Sequence, residues 1–355
     1  MDNRTDLEKR FWTILNCKGS RIHEESKRIL LEDIRSEDLR EPMEYASDRY
    51  RDLLRPTLMV LSCEAVGGKA ETVDPVAKAM TLLGMSLYIF DDIVDGTEYR
   101  CFVPTTMGKF GAGKTLVVGG LVTARAFTLL NKVDLPPAQR RRLSQLFWGF
   151  LRGMAEAETA NLTLRKKRGI HPEDKLAVMK MRTVQIEACT RAGAILGLGS
   201  NEDIGHLGKF GRHLGLILEL ADDLIESLNF TLELREKIRS GSWPYSLACA
   251  ENRSQRLRSL ISSITNERKD SVFIGEIVGE LFESGAVSHI RDLSAEIVRT
   301  AVGELSSLKD TSARRALRFI AEVQSSLLPP SISYHGMGYF CGDDNARTSD
   351  TIAPT

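Results

Sequence analysis

An all-α fold, built as a single helical bundle around a deep apolar cavity, is what the sequence predicts, and three observations predict it. Nearly every segment of the 355 residues carries apolar side chains at helical spacing, with no convincing alternation of period two. Gly67-Gly68, Pro136-Pro137, Gly197, Gly199 and Gly241 fall between those segments, as helix caps and turns require. No Ser/Gly/Pro-rich linker divides the chain, so one domain is expected over residues 1–327.

The elements follow in order. A short helix is expected near Asp6–Leu15 and another over Arg21–Arg35. Helices are then expected over Pro56–Val66 and Pro75–Asp92. Lys114–Leu130 and Ala138–Ala160 continue the pattern, followed by Pro172–Leu196, Ile204–Glu226, Pro244–Glu251 and several helices in the last hundred residues. From Leu328-Pro329-Pro330 onward the periodicity fades, and residues 328–355 read as a polar, disordered tail.

Composition narrows the function classes. With 42% hydrophobic residues the chain can bury a sizeable core, and 48 basic residues balance 48 acidic ones. That balance leaves no general electrostatic footprint for nucleic acid or an anionic membrane. Basic knots at Arg140-Arg141-Arg142 and Arg165-Lys166-Lys167-Arg168 lie near turn signals and read as solvated surface. The six cysteines, Cys17, Cys63, Cys101, Cys189, Cys249 and Cys341, show no close spacing and read as free thiols in a reducing compartment. The N-terminus opens as a charged helix and no apolar run approaches membrane-spanning length, so a cytoplasmic protein without stable membrane insertion is expected.

Two acidic clusters of the same shape carry the chemistry: Asp91-Asp92-Ile93-Val94-Asp95 and Asp222-Asp223-Leu224-Ile225-Glu226. Each ends an apolar helical run, and on a helix Asp91 with Asp95, and Asp222 with Glu226, present carboxylates in one direction. Carboxylates placed where apolar residues would continue need neutralising. Oxygen ligands of this kind suit Mg²⁺ held jointly with substrate phosphates. A competing motif, Gly108-Lys109-Phe110-Gly111-Ala112-Gly113-Lys114-Thr115, satisfies the GxxxxGKT phosphate-loop pattern. That loop requires a buried strand before it, and Arg100 to Thr106, with Pro104 and two threonines, makes a poor one, so a Gly-rich turn before a helix is expected instead.

With the acidic motifs placed, the chain resembles the trans-prenyl diphosphate synthase family from about Leu54 to Leu247. Leu54-Arg55-Pro56 followed by Glu64-Ala65-Val66-Gly67-Gly68 is similar to the early "LRP…EAxGG" segment, and Asp91 through Asp95, Arg100, Pro104-Thr105 and Phe110-Gly111 to the first aspartate-rich motif and its sequel. Arg182-Thr183 stands where the family has Lys-Thr, and Gly211 to Leu216 leads into the second motif. The resemblance implies two acidic motifs facing each other at the mouth of the cavity, with three Mg²⁺ ions bridging them to an allylic prenyl diphosphate. By carry-over, Asp91, Asp95 and Asp222 are direct metal ligands with Asp92, Asp223 and Glu226 supporting, and Arg100, Arg182 and Thr183 contact the diphosphate. Ser86 and Leu87, with Leu82 and Leu83 a turn deeper, would floor a pocket without an aromatic plug, long enough for a C15 or C20 chain. A homodimer is expected as well.

The departures bear on the second substrate. The family binds isopentenyl diphosphate (IPP) through a Gly-Lys-(Arg)-x-Arg cluster, a His or Gln one helix before the first motif, and a second Arg after it. Here Arg55 survives as a substrate-binding residue, but the Lys position reads Asp52, the His position Gly84 and the second Arg Cys101. Exchanging ammonium for carboxylate swings the Coulomb energy by several kcal/mol per pair at about 4 Å. Around the second motif the usual Gln is Glu219, and the lysines that normally follow are not found in the shortened stretch Ser227 to Trp243. Arg51, a turn before Arg55, offers a replacement cation. A donor half without its acceptor half fits an enzyme that forms a carbocation and cyclises it, as a terpene synthase does. The alternatives are transfer to IPP, as in prenyl diphosphate synthesis, or to another acceptor such as an indole.

Overall fold

The computed structural model describes residues 2–100, 103–167, 170–229, 231–266 and 272–326. Cys101, Arg168, Gly169, Cys341 and the tail from Leu328 lie outside the described residues. The helices are α1 (Asp2–Leu31), α2 (Glu37–Arg49), α3 (Leu54–Ala65) and α4 (Ala70–Asp95), followed by a two-stranded antiparallel hairpin, β1 (Tyr99–Arg100) and β2 (Val103–Pro104). Then come α5 (Thr106–Lys132), α6 (Pro137–Leu164), α7 (Pro172–Arg182), α8 (Val184–Leu196) and α9 (Asn201–Asn229). The last third holds α10 (Thr231–Ser240), α11 (Tyr245–Glu251), α12 (Gln255–Asn266), α13 (Val272–Glu283), α14 (Ala286–Leu305) and α15 (Ser312–Ser326).

Three differences from the sequence reading have local causes. The two helices expected before Arg35 are one, because Gly19 is a close-packing residue rather than a breaker: a Cβ there would stand 2.5 Å from the Leu53 carbonyl oxygen. Its helix buries Leu15 and Ile22 on either side of that contact. α2 is a helix that polar composition hid; it carries Pro42 inside and buries only Pro42, Met43, Ala46 and Ser47. The helix expected over Pro172–Leu196 divides at Thr183, whose hydroxyl donates to the Lys180 carbonyl at 2.8 Å, so Arg182 ends one helix and faces the next layer.

The core has two parts that share α9. Leu207, Phe210, Leu214 and Leu218 pack with α1, α3, α4, α5, α8 and α15, while Leu216, Ile217, Leu220 and Leu224 pack with α10 to α14. Both acidic motifs therefore lie where a buried helix reaches the edge of its core. α4 and α5 are each long and apolar enough to cross a membrane by length and composition, which corrects the expectation that no such run exists. α4 belongs to the core, burying Leu82, Leu83, Met85 and Ile89, whereas α5 leaves Leu116, Val117 and Phe127 exposed. The four described cysteines, Cys17, Cys63, Cys189 and Cys249, are free thiols.

Candidate active site

Gly96, in the left-handed conformation at φ 66°, stops α4 immediately after the first acidic motif, and the β1–β2 hairpin returns Arg100 onto it. Arg100 Nε donates to Asp92 Oδ1 at 2.8 Å and Nη2 to Asp91 Oδ2 at 3.2 Å, with the guanidinium 5.1 Å from the Tyr88 ring centroid. Arg182 Nη2 donates to Asp91 at 3.4 Å and to Glu158 of α6 at 2.7 Å, and its Nη1 lies 4.0 Å from Glu219 of α9. One guanidinium thus joins the first motif to the helix that carries the second, one turn before Asp222 and Asp223. Arg182 thereby brings the two helix ends that carry the acidic motifs to one place, the arrangement that the family resemblance implies.

The second motif uses its members differently. Glu226 pairs with Lys237, a lysine in the stretch where none was expected in register. Asp223 is buried, and its two oxygens accept the backbone N–H groups of Tyr245 at 2.5 Å and Ser246 at 2.9 Å. That carboxylate caps the N-terminus of α11 and so holds the α9–α11 corner. Lys175 of α7 donates to Asn161 Oδ1 at 3.3 Å and feels the charges of Asp223 and Glu226.

Carboxylates outnumber cations in this space, and their protonation shows it. Burial pushes Asp92 up to about 6 in spite of Arg100. Burial also raises Asp95, with Asp91 adding to it, and raises Asp222 well above the usual range, reinforced by Glu219 and Glu226. Glu226 is the exception: burial opposes its charge, but Lys237 outweighs burial and pulls it down. Among the described residues no three carboxylates converge into a cage for an ion. An all-oxygen donor set left short of positive charge fits Mg²⁺, which takes one or two carboxylates per ion and completes its shell with substrate phosphate and water. Asp91, Asp95, Asp222 and Glu226 are the residues that would hold it.

The residues at the positions that the resemblance gives to the second substrate pair among themselves. Asp52 is wholly buried; it accepts the backbone N–H groups of Leu54 and Arg55 at 3.1 Å, the Tyr50 hydroxyl at 3.1 Å and Arg55 Nη1 at 2.8 Å. Arg55 Nη2 is taken by Gln185 of α8 at 2.6 Å. A Cβ on Gly84 would collide with the Tyr50 hydroxyl, so glycine there is what lets Tyr50 reach Asp52. Arg51 lies in the non-helical connection before α3, which removes the helical register that would set it one turn from Arg55.

Other expectations are also resolved. Thr183 is buried with its hydroxyl on a carbonyl of α7, which places it at the α7–α8 bend. Ser86 is 1% exposed and donates to the Leu83 carbonyl, so Leu87, half-buried, is the more open of the two residues expected to floor a pocket. The phosphate-loop motif falls inside α5, broken at Gly111 (φ 78°), with only the two-residue β2 before it and Lys114 exposed beside Asp38. Arg165 pairs with Asp95, which corrects its reading as part of a solvated basic knot, and Glu158, not singled out from sequence, bridges it to Arg182. Their partners lie far along the chain, and no local spacing announces them.

A sequence model for the polyprenyl synthetase family matches residues 36–278. The chain is 27% identical over 312 residues to a short chain isoprenyl diphosphate synthase of Methanothermobacter thermautotrophicus, covering 86% of this chain and 95% of that one. It is 24% identical over 304 residues to a geranylgeranyl diphosphate synthase of Methanosarcina mazei, covering 84% and 92%. Among solved structures, the geranylgeranyl pyrophosphate synthetase of Pyrococcus horikoshii superposes with a TM-score of 0.78 at 22% identity, covering 90% of this chain and 98% of the other. A polyprenyl synthase of Caulobacter crescentus, crystallised with calcium and isoprenyl diphosphate, gives 0.77 at 20% identity, covering 88% and 97%. At these identities the structural likeness is one of fold.

Proposed function

The chain belongs to the polyprenyl synthetase family, and from that premise we propose that it ionises an allylic prenyl diphosphate of C15 or C20 length and transfers the prenyl group to an acceptor without a diphosphate of its own. Family membership makes it an enzyme that uses prenyl diphosphates. The observation that carries the acceptor reading is Asp52, an anion built into the protein where the family resemblance puts a cation for the second diphosphate. Arg55 is already neutralised by it, and a second diphosphate would meet a carboxylate.

On the donor side, Arg100 and Arg182 stand against the first motif, ready to donate to the oxygens of a departing diphosphate. When bound, Mg²⁺, three ions by the family resemblance, supplies Lewis-acid stabilisation of the same charge. Apolar helix faces, Leu83 and Leu87 among them, support a pocket that holds the chain and excludes water. Cyclisation, the outcome expected from sequence, gives way to transfer, because the relatives described above are synthases that by name make prenyl diphosphates. Those names also favour a second reading, head-to-tail addition to IPP. We further propose a homodimer through the exposed apolar stripe of α5 at Leu116, Val117 and Phe127, which sedimentation equilibrium tests. Free thiols support a cytoplasmic setting, and fractionation tests that.

The deciding experiment incubates the protein with Mg²⁺ and geranyl, farnesyl or geranylgeranyl diphosphate, each alone, with IPP and with indole, and identifies products by mass spectrometry. Diphosphate release that ignores IPP, with prenylated indole formed, is expected. Efficient IPP-dependent elongation would return the function to prenyl diphosphate synthesis, and hydrocarbons alone would restore cyclisation.

A further inference from the structure

Arg165 closes α6, and nothing in the sequence separates it from the basic residues after it. The structure does: Lys166 and Lys167 are exposed, whereas the Arg165 side chain is 13% exposed and pairs with Asp95, 70 residues away. Its Nη2 also lies 3.8 Å from Glu158 Oε1, while the other oxygen of Glu158 accepts Arg182 at 2.7 Å. One carboxylate therefore holds two guanidiniums, one against Asp95 and one against Asp91, across the same face of the first acidic motif. The Nε of Arg165 is buried and makes no hydrogen bond.

Asp95 and Arg165 satisfy each other only while Asp95 is free to accept. If Asp95 turns its lone pairs to a divalent cation, a buried guanidinium is left beside the metal with donors to fill. A planar fork of N–H donors in that place matches phosphate oxygens in pairs. We infer that Arg165 is a diphosphate-binding residue that exchanges Asp95 for the substrate diphosphate as the metal arrives, with Glu158 holding both arginines in position. This rests on the proposed function. It follows that metal alone must break an ion pair, whereas metal with diphosphate leaves no group unpaired, so the two ligands bind with positive coupling through Arg165.

Calorimetric titration of the full chain tests this with Mg²⁺ alone and with inorganic pyrophosphate in excess Mg²⁺, on wild type, Arg165→Gln and Arg165→Lys. Arg165→Gln should bind Mg²⁺ alone more tightly, by roughly threefold or more, and pyrophosphate at least about tenfold more weakly. Arg165→Lys keeps the charge without the fork, so a loss of several-fold in pyrophosphate affinity is expected. It carries the test should the glutamine variant not fold. Pyrophosphate affinity unchanged in either folded variant would overturn the inference. So would a parallel loss of metal and pyrophosphate binding with a lowered melting temperature, which marks a merely structural residue. Failure of the wild type to bind pyrophosphate with Mg²⁺ would instead remove the proposed function, and this inference with it.

Discussion

Replacing Asp52 by alanine is the sharpest test of how the acceptor half is built. The substitution removes the acceptor of four hydrogen bonds and leaves Arg55, 11% exposed, with Gln185 as its remaining strong partner. Breaking one side of a buried ion pair costs about 3–5 kcal/mol, because the surviving charge stays buried without compensation. At about 2 °C per kcal/mol for a chain of this size, the melting temperature should fall by roughly 6–10 °C. Asp52→Asn keeps the shape and the two backbone contacts that start α3, so a smaller loss is expected. Circular dichroism melts at pH 7.5 read both. The alanine variant also frees Arg55 for an outside anion: IPP at about 100 times its Kd should return some 2.7 kcal/mol to the variant and nothing to wild type. An alanine variant melting within about 2 °C of wild type, or equal stabilisation of both proteins by IPP, would refute the internal-anion argument.

The remaining predictions use simpler readouts. Asp91→Ala and Asp222→Ala should each lower turnover by orders of magnitude with unchanged helical circular dichroism, and EDTA should abolish wild-type activity; residual full activity in either case removes the metal reading. Lys114→Ala should leave diphosphate chemistry unchanged, and a phosphate-release assay should find no ATP hydrolysis, since Gly111 breaks the motif inside a helix. Leu87→Phe should shift preference to shorter prenyl diphosphates, read by competition among C10, C15 and C20 substrates. Ser86→Phe, overfilling a closed site, should instead cost about 1–3 kcal/mol of stability. His23 is buried, and burial pulls its pKa below the usual 6.5 in spite of Asp52. The unfolded chain then binds the proton more readily, so its contribution is intact above pH 6.5 and lost as pH falls below it; His23→Leu should flatten melting temperature against pH between about 5 and 6.5.

The sequence exposes whatever is periodic or contiguous. α4 and α9 are legible because each apolar run ends in a compact acidic cluster, whereas the facing of the two clusters is implied only by the family resemblance. Asp223 shows the limit of that logic. It sits in the motif beside Asp222, yet Tyr245 and Ser246, more than twenty residues later, claim both its oxygens. Glu158 and Arg165 were unreadable for the same reason, since their meaning lies in Arg182 and Asp95 on other helices. The stretch between Leu15 and Arg21 falls outside both expected helices because sequence does not show the Leu53 carbonyl against which Gly19 packs. The phosphate-loop spacing around Lys114 is discounted in the sequence for want of a long buried strand before it, and the motif lies inside α5.

What separates a fixed pair from an exchangeable one is the number of bonds that must break together. Asp52–Arg55 and Asp92–Arg100 are both buried pairs at 2.8 Å, so distance alone cannot rank them. Asp52 is enclosed by four donors, two of them the backbone that starts α3, and withdrawing it from Arg55 would also disturb a helix terminus. Asp92 meets one guanidinium whose other arm already reaches Asp91 on the open face, so Arg100 can turn toward a diphosphate without leaving its strand. Asp95–Arg165 is looser still, 23% and 13% exposed with a spare buried N–H. On the proposed function, this order sets a pair fixed by its own carboxylate, Asp52–Arg55, apart from pairs whose arginines a diphosphate would compete for.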